Sequence, residues 1–477
     1  MPRLLFASLA TLVFSVCTAN AAEGPYLATG IKIGEVTSDS AIVWARLTAI
    51  EKPAQPPLGQ AQPAKAADAE ISGLAGAVPG MAGNVSLEIS TSADFTDAKR
   101  FESARVDAAT DFTHQWSVAN LKPATKYFVR VTAAAKEGQP TAKLEGSFTT
   151  ASAASEWQDV RFAVMSCQSH RDRDELEGFH IYPAMQKANI HFYVATGDNV
   201  YYDSDPPLAD TVALARFHWN RMHGLPGLVE FHRHVPGYWE KDDHDSFRND
   251  DWPPLGRNAD RSMELTGDLN FFKGLKIFRE QVPIGEKTYR TFRWGKSLQI
   301  WLTEGRDFRS PNNMPDGPDK TIWGQEQLEW LKSSLLASDA DFKVLISPTP
   351  VVGPDRKNKA DNHSNATFGA EGNAFRKWIQ DNKLTGNFFT CCGDRHWQYH
   401  SVDPATGLNE FSAGAASDKH AGGSPGLDPE FHKFHRVKGG FITVSVARPD
   451  GVPKITFRHH DVNGEVVYEY AATQERG

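Results

Sequence analysis

Arg161-Phe162-Ala163-Val164-Met165-Ser166-Cys167-Gln168 is an apolar run that stops on small and polar residues. The same shape returns along the next two hundred residues. His191-Phe192-Tyr193-Val194-Ala195-Thr196 runs into Gly197-Asp198, the run 298–302 into Glu304-Gly305-Arg306, and the run 387–391 into Gly393-Asp394. Residues 343–347 form another such run. Short, continuous apolar runs bounded by turn residues read as buried strands. Helical periodicity lies between them: Gly324-Gln325-Glu326-Gln327-Leu328-Glu329-Trp330-Leu331 places leucines and tryptophan on one face, and a second helix is expected around 375–379. Strands alternating with helices predict an α/β layered domain, assigned here to 156–475, with its working residues at the C-terminal ends of the strands.

Upstream the texture changes. Ala41-Ile42-Val43-Trp44-Ala45 and Val85-Ser86-Leu87-Glu88-Ile89 read as short strands, and Leu121-Lys122-Pro123 turns into a strand that starts near Tyr127. Gly146-Ser147-Phe148-Thr149-Thr150 reads as a closing strand. This segment, 23–152, resembles a fibronectin type III-like β-sandwich. An alanine-, proline- and glycine-rich insert at 53–83 interrupts it and is expected to form a mobile loop.

The first 22 residues read as a signal peptide. Arg3 precedes an apolar run, Leu4 to Val16, too short to span a bilayer, and Ala19-Asn20-Ala21 has the small-x-small form of a cleavage site. The protein is therefore expected to be exported, to the periplasm or beyond the cell, without a membrane span. The chain of 477 residues carries a net charge of −8 and no basic run, which argues against a nucleic-acid partner. Of its four cysteines, Cys17 falls within the signal peptide. Cys167, Cys391 and Cys392 remain, too few for a disulfide scaffold, and pairing neighbours such as Cys391 and Cys392 would close almost no loop.

Polar side chains gather where the strands end. They are Ser166-Cys167-Gln168; Gly197-Asp198-Asn199-Val200-Tyr201; Lys241-Asp242-Asp243-His244-Asp245 with Asn249; Glu304-Gly305-Arg306; and Gly393-Asp394-Arg395-His396. Each alone reads as a turn, a helix cap or a solvated face. Together they offer carboxylates, imidazoles, an amide, a phenol and a thiol, the donor mixture of a site for more than one metal. Asp394 and His396 are two apart, so an extended segment turns both to one side.

These motifs resemble those of the PhoD family of metallophosphatases, also called alkaline phosphatase D. The resemblance rests on Ser166-Cys167-Gln168, on Asp198 with Tyr201, on Asp242-Asp243-His244-Asp245 with Asn249, and on Gly393-Asp394-Arg395-His396. Asp245 stands where the family more often has glutamate. The resemblance implies a calcineurin-like αββα metallophosphatase domain that hydrolyses phosphate esters with Fe(III) and Ca²⁺. It implies metal ligands at Cys167, Asp198, Tyr201, Asp243, Asn249, Asp394 and His396. His244 would serve the leaving oxygen, and Arg306 would grip phosphate. A phosphomonoesterase, a phosphodiesterase or a phospholipase D-like enzyme would all fit, as would a hydrolase of another anionic ester such as a sulfate. A secreted binding protein with an inactive phosphatase domain is the reading from a different class. Retention of Cys167, Asp198, Tyr201, Asp394 and His396 speaks against it.

Overall fold

The computed structural model describes residues 24–253 and 267–474, so the signal-peptide reading lies outside the described residues. Two large mixed sheets face one another. The first has nine strands, in the order Val466–Thr473, Lys454–His460, Phe441–Ala447, Val160–Met165, Phe192–Thr196, Gly237–Glu240, Ile31–Gly34, Ser40–Arg46, Thr113–Ala119. The second has seven, in the order Arg290–Trp294, Leu298–Leu302, Phe342–Ser347, Phe388–Cys392, Asn409–Ala413, Gln398–Val402, His432–Arg436.

Successive side chains of a strand point to opposite faces, so each strand feeds two cores. Phe162, Val164 and Val194 of the first sheet share a core with Ile300, Leu302, Val344, Ile346 and Phe389 of the second. Between the sheets Phe411 stacks on Phe457 with centroids 4.0 Å apart. Truncating such a buried ring costs about 3–5 kcal/mol. On the outer face of the first sheet Ala163, Met165, Tyr193 and Ala195 pack against Leu214 and Trp219 of helix Val212–His223 and Phe271 and Ile277 of helix Phe271–Gln281. On the outer face of the second, Trp301, Leu345 and Phe388 meet Leu331 and Leu335 of helix Gly324–Ala337 and Phe375 and Ile379 of helix Gly369–Asp381. The layers are therefore helix, sheet, sheet, helix.

The strands that carry the motifs run parallel within each sheet: Val160–Met165, Phe192–Thr196 and Gly237–Glu240 in one, Leu298–Leu302, Phe342–Ser347 and Phe388–Cys392 in the other. Their C-terminal ends sit side by side, with Ala195 opposite Met165, Thr196 opposite Glu240, and Ser347 opposite Cys392. All the polar motifs thus leave the two sheets along one rim.

The upstream strands form two facing layers, and one layer continues into the large sheet. Ile31–Gly34, Ser40–Arg46 and Thr113–Ala119 extend the nine-stranded sheet, Gly34 lying parallel to Gly237. Gly83–Ser90, Lys126–Lys136 and Gln139–Thr149 build, with two short strands, a five-stranded sheet over that extension. Its Val85, Leu87, Val129 and Val131 belong to the same core as Phe162 and Val194. Tyr127 turns its hydroxyl back to accept a hydrogen bond from Lys122 N at 2.8 Å, pinning the turn before its strand. The insert, too, is anchored rather than free. Gln55 Nε2 donates to Gly224 O, Leu208 N donates to Ala64 O, and Thr211 Oγ1 donates to Asp68 Oδ1.

Candidate metal centre

Three backbone kinks build the site. Cys167, Asp198 and Asp394 each follow a strand end and adopt φ values of 56°, 52° and 58°. Non-glycine residues there are strained, and such strain clusters at functional sites. Two glycines allow the chains to come this close. A Cβ on Gly197 would lie 2.6 Å from Asp242 Cβ, and one on Gly393 would lie 2.2 Å from Thr196 O. Asp394 N donates to Ser166 Oγ at 3.3 Å, tying the rims of the two sheets together.

The side chains converge on Asp198. Its Oδ2 lies 3.4 Å from Cys167 Sγ and 3.1 Å from the Tyr201 hydroxyl, which is 3.3 Å from His396 Nε2. Ligand atoms of Cys167, Asp198 and His396 all lie within 4.8 Å of one another, and the same holds for Asp198, Asp243 and His244. Asp198 therefore belongs to two adjacent groups. Its Oδ1 is buried without a hydrogen-bond partner.

The charge arrangement is frustrated. Burial, together with Asp243, Asp242 and Asp245, raises the Asp198 carboxyl well above the usual range, against the opposing pull of His244. Burial and then Asp198 push the Cys167 thiol and the Tyr201 phenol up. Burial and His420 keep the His396 imidazole neutral, the form in which it ligates. An orphaned carboxylate oxygen, a thiol, a phenol and a neutral imidazole around one point fit a bound cation, which would stabilise every anionic form that burial now disfavours.

Around this point the other expected residues take different places. His244 Nδ1 donates to Asp203 Oδ1 at 2.6 Å, and the ring packs on that of Tyr201, centroids 4.5 Å apart. Burial opposes its charge, but Asp243, Asp198 and Asp203 together raise its pKa well above the ordinary value. Asn249 lines the open cleft, its backbone N donating to Asp203 Oδ2 at 2.8 Å. Asp394 lines the same cleft, with its carboxylate against the Arg395 guanidinium rather than in either ligand group. Asp245 accepts from Asn199 N, Asn199 Nδ2 and Asp242 N, so it joins two motif loops.

Arg306 requires correction. It is fully buried, its Nε donates to Asp242 Oδ1 at 2.5 Å, Nη1 donates to Asp251 O at 3.0 Å, and Nη2 lies 3.6 Å from Asp243 Oδ2. Despite burial, Arg306 first and His244 next hold the Asp243 carboxyl far below its ordinary range. Two nitrogens of Arg306 are spent on Asp242 and the Asp251 carbonyl, Nη2 lies beside Asp243 without a hydrogen bond, and the group is not part of the cleft wall. The cleft cations are Arg356 and Lys359, in a cavity of about 460 Å³ that also reaches His244, Asp394, His396 and Trp397. Lys359 Nζ bridges Asp250 at 2.5 Å and Asp361 at 3.3 Å, occupying a third acidic group formed with Asp243.

Sequence reading missed Asp361, Lys359 and His420. The first two sit in the loop after strand Phe342–Ser347, a strand-end position like the others. His420 faces Tyr201 OH at 2.9 Å through Nε2 and Asp172 Oδ2 at 2.9 Å through Nδ1. It follows strand Asn409–Ala413, which carries no polar motif at its end, and nothing in the local sequence marks it.

The geometry agrees with comparison to known proteins. The family model for PhoD-like phosphatase matches residues 162–442, and that for the PhoD-like phosphatase N-terminal domain matches 14–152. No curated protein matches the chain. Among solved structures, one of PhoD superposes with a TM-score of 0.69 at 18% identity, over 94% of this chain and 89% of that one. The purple acid phosphatase PPD1 from yellow lupin (Lupinus luteus) seeds superposes with a TM-score of 0.60 at 12% identity, over 93% and 74%. The fold is that of metallophosphatases, and, by the extent of the family match and the donor set at its rim, the chain belongs to the PhoD-like phosphatases, a family of metal-dependent phosphoric ester hydrolases.

Proposed function

We propose that this hydrolase is exported and works as an alkaline phosphatase or phosphodiesterase with Fe(III) and Ca²⁺. Cys167 and Tyr201 would supply anionic, strongly donating thiolate and phenolate ligands that suit a ferric ion, with Asp198 and His396 completing the set. Asp198, Asp243 and Asn249 supply oxygens for calcium, with Asp394 at the same cleft. The observation that carries this reading is the position of Asp198, whose carboxylate belongs to both ligand groups and leaves Oδ1 unpartnered. When bound, such ions lower the pKa of water and neutralise phosphoryl oxygens.

The protein's own residues do the rest. His244, held by Asp203, keeps a proton at the cleft face for the departing oxygen. Arg356, at the cleft wall and near the Trp397 ring, is placed to meet a phosphoryl oxygen. Arg306 holds Asp242 and Asp243 in place and favours the ionised form of Asp243. The open cleft suits a monoester or one arm of a diester, and a phospholipase D-like reaction belongs to the same class.

Hydrolysis of p-nitrophenyl phosphate beside bis-p-nitrophenyl phosphate, with and without a calcium chelator, tests the proposal. Chelator-sensitive turnover is expected, and the ratio of the two rates assigns monoester or diester. A folded, metal-loaded sample silent on both would return the weight to another ester or to a binding role.

A further inference from the structure

We propose that a second anion site, for a small oxyanion of the phosphate class, lies in the cavity between the insert and the turn that follows Cys167. This cavity of about 290 Å³ is walled by insert residues 56–62 on one side and by His170, Arg171, Arg173 and Arg221 on the other. It is smaller than the pockets that hold drug-sized ligands. No residue lining it also lines the catalytic cleft.

Its donors are buried and incomplete. His170, Arg173 and Arg221 are 4%, 3% and 2% exposed, and His170 Nε2, Arg173 Nε and Arg221 Nε have no hydrogen-bond partner. Burying such donors unpaired is costly, and three in one place need a common acceptor. The remaining donors of the two guanidinia go to uncharged acceptors: Arg173 to the carbonyls of His170 and Pro56, Arg221 to those of Pro206 and Asp205 and to His218 Nδ1.

Counter-charge is short. Asp205 serves Ser169 Oγ and His170 N, and lies only 3.7 Å from Arg171 and 3.8 Å from Arg221. Asp172, the carboxylate on the cavity wall, is 3.6 Å from Arg171 but hydrogen-bonds His420. Three guanidinia therefore share two acids already engaged elsewhere. Burial, with Arg173 opposing Asp205, brings Arg221 down to about 10, and burial with Arg221 and Arg173 keeps His170 neutral. An oxyanion supplies acceptors and charge together, in the geometry that guanidinium recognises.

The site is wired to the chemistry. Asp172 orients His420, whose other nitrogen faces Tyr201 OH. An anion that draws Arg171 from Asp172 alters the carboxylate that sets His420, so occupancy is coupled to the metal centre without contact with substrate. Free phosphate, the product of ester hydrolysis, has the required chemistry.

The test is titration of inorganic phosphate into the metal-loaded protein, followed by calorimetry. Two phosphates per chain are expected. Arg171→Gln, at a half-exposed position, should weaken one of the two classes about tenfold or more, as loss of a charge-assisted hydrogen bond does. Arg173→Met should abolish that class. Phosphate inhibition of p-nitrophenyl phosphate hydrolysis should be mixed in the parent and competitive in Arg171→Gln. Phosphate classes, one or two, that neither Arg171→Gln nor Arg173→Met changes overturn the proposal, as does a parent that binds no phosphate. The class that Arg171→Gln weakens and Arg173→Met removes is read whether or not the protein proves to be an active phosphatase, so the two readings fail separately.

Discussion

Two of the places where the molecule buries charge do so in opposite ways. At the junction of the upstream strands with the catalytic layers, Arg46 and Asp111 are satisfied at every turn. Arg46 Nε and Nη2 reach the two Asp111 oxygens at 3.0 Å, Nη1 donates to Val78 O, and Asn220 and Gln281 donate to Asp111 Oδ2. Burial works against the Asp111 carboxylate, but Arg46 and the two amides win and hold its pKa low. At the rim, Asp198 sits among acids, with an orphaned oxygen and its pKa driven up. A closed buried ion pair reports architecture, whereas a crowd of like charges with an unfilled centre reports chemistry that needs a further positive charge.

The comparison breaks most sharply at its two acids. Asp198→Asn should cut kcat by about 10⁴-fold, the scale seen when a central catalytic group is removed, and should lower bound metal measured by elemental analysis. In metal-depleted protein the sign of the stability effect reverses. The folded-state pKa of Asp198 is raised, so its carboxylate opposes folding increasingly as pH rises above the unfolded value. Metal-depleted Asp198→Asn should therefore melt higher than the parent at pH 8; a lower melting temperature would contradict the frustrated arrangement. Arg46→Met leaves Asp111 buried and unpaired and should cost about 3–5 kcal/mol of stability, read by denaturant unfolding, with kcat per folded molecule unchanged.

Arg306 lies between these extremes. Like Arg46 it is buried on a carboxylate, but its Nη2 has no hydrogen-bond partner and its neighbours Asp242 and Asp243 stand at the metal rim. Arg306→Lys retains the charge and loses the fork, and should lower kcat about 10–100-fold, as loss of outer-shell support does. KM and competitive inhibition by phosphate should stay near the parent values. A large rise in KM alone would restore Arg306 to the substrate.

Local chemistry was legible where sequence neighbours act together. Gly197-Asp198 and Gly393-Asp394 announce strained turns after strands, and Cys167, Tyr201 and His396 are carried to one point by those turns. Choice of partner was not legible. Arg306 takes Asp242, distant in sequence, over the nearby Asp307, because the loops of two sheets meet only in the fold. The same holds upstream. Alternation in Ser40–Arg46 marks a half-buried strand, but its attachment through Ile31–Gly34 to Gly237–Glu240 depends on a four-residue strand, too short to stand out. His420 illustrates the limit, since its role rests on Asp172 and Tyr201, far away along the chain.

The smallest effect sharpens the comparison at a third buried place, where the group is kept neutral instead of paired or crowded. His459 is fully buried beneath the seam of the two sheets, its Nε2 at 3.1 Å from Ser412 O, and burial followed by His400 lowers its pKa from 6.5 to about 3. The folded state thus refuses a proton that the unfolded chain accepts. Its contribution to stability is complete above pH 6.5 and is lost as pH falls from 6.5 towards 3. One pH unit below 6.5 the loss should be about 1.4 kcal/mol. His459→Gln should remove close to one proton from the slope of unfolding free energy between pH 6.5 and 4.5, measured by denaturant melts across that range. An unchanged slope would mean that His459 takes up its proton in the folded state, and that the seam admits a charge which neither the paired junction nor the crowded rim admits alone.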